Sequence, residues 1–124
     1  YMYRFAYASA AMRKLGLGAI HAADLVAVYG DPFATVTSKL DRFGPRDTFQ
    51  EVSRLMQYHW GEFFHTGTPG TEWPSYGFKR GDDPGRATAV FEYGIRVEYD
   101  PKAEQRTAWE SFDMREWGIS RTDL

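Results

Sequence analysis

Apolar residues recur at Phe49, Val52, Leu55, Met56, Trp60, Phe63 and Phe64. That spacing lines one wide face of an amphipathic helix. Pro45 stands before it, Thr48 and Glu51 form a capping-box pair, and Gly67 with Pro69-Gly70 marks its stop. Residues 1–7 alternate around aromatics and suit a strand. Ala87 to Tyr93 alternates enough for a second strand, and Ile95 to Tyr99 for a third, paired with it through a turn at Gly94.

The remaining segments are punctuated by glycine, proline and aspartate. Ala8 to Gly18 reads either as a loop with a helical turn or as a short alanine-rich helix, and the pattern does not separate the two. Asp24 to Tyr29 forms a short helix with Asp24 as N-cap and Gly30 as stop, and Asp31-Pro32 breaks the chain after it. Residues 33–44 are ambiguous. Glu72 to Gly77 is an aromatic turn, and Lys79 to Arg86 an exposed polar loop. Asp100-Pro101 opens a last helix, with Asp100 as N-cap, Pro101 at the first position, Glu104 supporting the positive end of the dipole, and Trp109 and Phe112 on one face. The tail from Arg115 is weakly specified apart from Trp117. The opening residues are already strand-like, so the chain is expected to be cut from something longer.

The 124 residues suffice for one domain, and 43% hydrophobic and 17% aromatic content supplies a core and argues against disorder. Such an aromatic load in a small chain also suggests a partner surface outside it. Net charge is −2 with acids and bases interspersed, and the lack of a Lys/Arg block argues against nucleic acid as partner. No cysteine occurs, which excludes disulfides, thiolate metal sites and cysteine nucleophiles. No apolar run is long enough for a membrane span. The compartment stays open between the cytoplasm, the preferred reading, and a bacterial exterior.

The candidate chemistry lies in Gly18-Ala19-Ile20-His21-Ala22-Ala23-Asp24-Leu25. An imidazole can take and return a proton near neutral pH, and small neighbours leave room for a second reactant. Asp24 is read as a cap rather than as the acid of a triad, because three residues of loop do not readily bring a carboxylate behind the ring. Supporting His21 from behind is its secondary role. His59 and His65 are six apart and do not share a helical face as an i,i+4 pair would, so they read as surface or interface histidines and not as metal ligands. Glu51, Glu62 and Glu104 read as caps and solvated charges, not as a glycosidase pair.

Several of these motifs, in order, resemble the C-terminal part of type-B carboxylesterases, the group of para-nitrobenzyl esterases and cholinesterases. Tyr3-Arg4-Phe5 resembles the strand before the catalytic histidine, and Gly18 to Leu25 with Val28-Tyr29-Gly30 resembles the histidine loop. Met56, Trp60 and Phe63 followed by Thr66-Gly67-Thr68-Pro69 are similar to the family's helix and Thr-Gly-x-Pro signature, and Trp73-Pro74-Ser75-Tyr76 to its Trp-Pro-x-Tyr turn. Arg96-Val97, Asp100-Pro101, Ala103-Glu104 and Trp109 resemble its last strand and helix. Ala22 stands where the family usually has glycine, so the backbone there is expected to suit alanine, which disfavours positive φ.

The resemblance implies the C-terminal fragment of an α/β-hydrolase fold, a few strands of the central sheet with flanking helices, residues 1–124 lacking the nucleophile-bearing N-terminal part. The aromatic helix would pack on that sheet. It implies ester hydrolysis by a Ser-His-Asp/Glu triad, with His21 as general base and no cofactor. The serine and acid would lie upstream, since the chain holds no Gly-x-Ser-x-Gly elbow. The partners implied are a small ester and the N-terminal remainder of the parent, and the chain alone would be inactive. Two rivals stand beside it: a non-catalytic cholinesterase-like binding or adhesion module, and an independent small α+β interaction domain.

Overall fold

The computed structural model describes residues 1–30, 46–78, 81 and 84–112. Its elements are β1 (Tyr3–Phe5), α1 (Ala10–Lys14), α2 (Ala23–Tyr29), α3 (Arg46–Thr66), β2 (Ala87–Phe91), β3 (Ile95–Tyr99) and α4 (Ala103–Glu110). The expectations for residues 33–44, the break at Asp31-Pro32 and the tail from Arg115 fall outside the described residues.

The sheet runs β1-β2-β3. β2 and β3 form the expected antiparallel hairpin, with Phe91 opposite Ile95 and Ala87 opposite Tyr99. β1 joins the other edge of β2 in parallel, Tyr3 beside Ala89 and Phe5 beside Phe91. All of β2 is buried, without the alternation expected of it. As the central strand it is covered on both faces, which removes the polar positions of a half-exposed strand. One face joins Ala89 and Phe91 to the aromatic core. On the other, Val90 lies in register between Arg4 and Arg96. Both guanidinium groups reach Glu98, at 2.9 Å and 3.0 Å.

α3 runs unbroken for 21 residues. It begins before Thr48, so the Thr48 and Glu51 pair lies inside the helix and is not its cap. At its end the Gly67 amide bonds the Phe63 carbonyl with φ of 77° at Gly67, as the glycine stop predicts. Val52 and Met56 are fully buried, whereas Phe64 is 78% exposed and Phe63 stays half out. The open choice at Ala8 to Gly18 resolves to a short helix, capped by the Ser9 hydroxyl, which accepts from the Met12 amide at 3.3 Å.

α2 packs on α3. Ala27 is fully buried, and the Ser53 hydroxyl donates to the Ala27 carbonyl at 2.6 Å. Gly30 ends α2 at φ 65°, as expected. The core behind both helices is aromatic. The Trp73 ring meets Phe91 at 5.4 Å, Tyr3 at 5.7 Å and Trp60 at 5.0 Å, and its indole N–H donates to the Met2 carbonyl at 2.9 Å. Trp73 thereby fastens the 67–76 turn to the entry of β1.

The last helix starts at Ala103 without a side-chain cap, which corrects the assignment of Asp100. The Asp100 carboxylate is taken instead by the guanidinium of Arg106, at 2.9 Å and 2.7 Å. A two-pronged ionic bond satisfies a carboxylate better than one amide cap. Arg106 holds the Asp100 carboxyl below its ordinary range. Glu104 lies in the first turn of α4 as expected, and the Trp109 and Phe112 rings meet edge to face at 6.0 Å.

Candidate active site

His21 stands on a turn between α1 and α2 and is exposed. The turn is closed by the Ala23 amide on the Ile20 carbonyl at 3.3 Å and the Leu25 amide on the Ala22 carbonyl at 3.2 Å. Among the described residues the imidazole has no hydrogen-bond or ion-pair partner. It is not sealed in apolar packing, and it is open to a reactant.

Ala22 holds the left-handed conformation, φ 62° and ψ 8°, contrary to the expectation that the alanine would avoid positive φ. The turn has to reverse direction between His21 and α2. That geometry costs about 1 kcal/mol for a residue with a Cβ, which the fold carries at this point.

Asp24 is corrected as well. It lies in the first turn of α2, Ala22 occupies the cap position, and no side chain caps the helix. Its carboxylate accepts the Tyr3 hydroxyl at 2.7 Å. Burial first, and then the bond to Asp24, push the Tyr3 phenol up to about 12. Asp24 does not bond His21 among the described residues. The link to Tyr3 spans 21 residues and left no local mark in the sequence.

Among the histidines, His59 is the one whose surface reading is corrected. It is not at the surface but 1% exposed, with Nδ1 donating to the Pro69 carbonyl. Its ring meets Phe91 at 5.9 Å and Trp73 at 6.2 Å. Nε2 has no hydrogen-bond partner among the described residues and lies 3.9 Å from Glu72 Oε2. A helical wheel could have shown this, because His59 falls between Val52 and Leu55 in the apolar arc. His65 is exposed, with Nδ1 2.9 Å from the Gly61 carbonyl. Among the described residues no three acids or histidines cluster as metal ligands, and no helix is long and apolar enough to cross a membrane.

Solved structures resemble this chain in overall fold. Carboxylesterase EST55 of Geobacillus stearothermophilus is 31% identical, with a TM-score of 0.65, over 88% of this chain and 21% of its own. The chain carries part of the carboxylesterase α/β-hydrolase fold. A PNB esterase is 29% identical over 86% of this chain and 20% of its own, TM-score 0.61. A thermophilic PNB esterase is 28% identical over 73% and 18%, TM-score 0.55. The chain thus spans about a fifth of the length of these carboxylesterases. No family model matches it, and no curated protein does.

Proposed function

We propose that this chain is the C-terminal portion of a carboxylesterase domain and that His21 is the general base of its triad. In this reading His21 takes the proton of a serine hydroxyl as that oxygen attacks an ester carbonyl. It returns the proton to the departing alkoxide and then activates the water that frees the acyl group. The serine, the carboxylate that orients the ring and the oxyanion donors come from polypeptide outside these residues. By itself the chain does not hydrolyse esters, because a base without nucleophile or oxyanion hole does little.

The observation that carries the reading is the exposed His21, free of partners among the described residues, on a turn of a carboxylesterase fold. A binding module of the same fold would not need an open imidazole there. The test is His21→Ala in the longest protein that contains this chain, assayed on a simple aryl ester. Turnover is expected to fall by about a thousandfold or more with the fold intact. Near-normal turnover would contradict the assignment.

A further inference from the structure

Tyr3 and His21 are 18 positions apart and, among the described residues, share no hydrogen bond or ring contact, yet one contact links Tyr3 to the helix after His21. The Tyr3 hydroxyl donates to Asp24 at 2.7 Å, and Asp24 lies in the first turn of the helix that His21 leads into. The Tyr3 ring itself cannot easily shift. It stands edge-on to Trp60 at 5.0 Å, to Trp73 at 5.7 Å and to Phe91 at 6.2 Å. The hydroxyl is therefore presented from a rigid strand and core.

α2 is then pinned at two points. Ser53 holds the Ala27 carbonyl in its second half, and Tyr3 holds Asp24 in its first turn. The two amide bonds that close the turn transmit the second pin to the His21 backbone. The start of α2 is also held by burial of Ala23, so losing the Tyr3 hydroxyl would allow only a small pivot about the Ala27 anchor. The strained Ala22, with its positive φ, is where such a pivot would relax.

We propose that the hydrogen bond from Tyr3 to Asp24 is a positioning clamp that fixes the imidazole of His21 for proton transfer. Tyr3 is a positioning residue on this view, since it acts through Asp24 and meets no substrate. The proposal rests on the reading of His21 as general base. A misplacement of about an ångström at such a group can cost a hundredfold in rate.

The experiment uses Tyr3→Phe, Asp24→Ala and the double variant in the longest protein that contains the chain, with His21→Ala as control. Tyr3→Phe keeps the ring packing and removes only the donor. Aryl-ester turnover is measured at a temperature where each variant is fully folded. Each single variant is expected to lower kcat by about tenfold to a hundredfold with KM nearly unchanged, and the double variant to fall no further than the worse single. A merely structural bond would lower the melting temperature and leave kcat alone. Wild-type kcat in Tyr3→Phe, or losses that add in the double variant, would overturn the clamp. Undiminished turnover in His21→Ala would overturn the base assignment itself, a separate outcome.

Discussion

Two regions of the molecule treat histidine in opposite ways. His59 is enclosed by Trp73, Phe91 and the Pro69 carbonyl, on a long helix that supplies the core. His21 stands exposed on a turn of small residues, where a left-handed alanine carries strain. The first region spends its aromatic side chains on packing and holds its imidazole by a backbone carbonyl. The second, among the described residues, leaves the ring without a partner and fixes only the backbone beneath it. Residue type is the same, and the partners built around it separate a structural pin from a group available for chemistry.

The contrast can be broken from either side. Replacing His59 by Ala removes a buried ring and is expected to cost about 3 kcal/mol of stability, read by chemical denaturation. It should leave turnover per folded molecule unchanged. A smaller loss follows Ser53→Ala, which frees the Ala27 carbonyl and is expected to cost about 1 kcal/mol. Ala22→Gly runs the other way. Glycine takes φ of 62° without penalty, so the variant is expected to gain up to about 1 kcal/mol. A loss on that substitution would contradict the strain.

The smallest expected effects come from pH. The Tyr3 phenol is raised from 10.0 to about 12, so its contribution is complete below pH 10 and fades as pH climbs through 12. The Tyr3 phenol should ionise well above pH 10 in an ultraviolet titration, and Asp24→Ala should bring it forward. The Asp100 carboxyl is lowered, so its contribution is present above its ordinary value of 3.8 and is lost as pH falls below it. The signal of Trp109, on α4, should therefore hold steady from neutral pH down to about pH 4 and change only below.

Much of the fold was legible because periodicity and punctuation carry it. The stripe from Phe49 to Phe63 located α3, Gly30 and Gly67 closed their helices, and Gly94 closed the hairpin. The caps were not legible. Asp24 and Asp100 both look like N-caps locally, but each carboxylate found another side-chain donor, a phenol 21 residues away in one case and a guanidinium six residues on in the other. The parallel join of β1 to β2 links residues more than eighty apart, and nothing local announces it. At the site, the small-residue loop marked His21. Its clamp by Tyr3 needed the fold, because neither residue is unusual in its own neighbourhood.

The most direct measurement sets His21→Ala beside His59→Ala in one protein and compares aryl-ester turnover per folded molecule with melting temperature. The first variant is expected to lose turnover at nearly unchanged melting temperature. The second should melt earlier and turn over normally while folded. Normal turnover in the first variant, or lost turnover in a fully folded second, would contradict it.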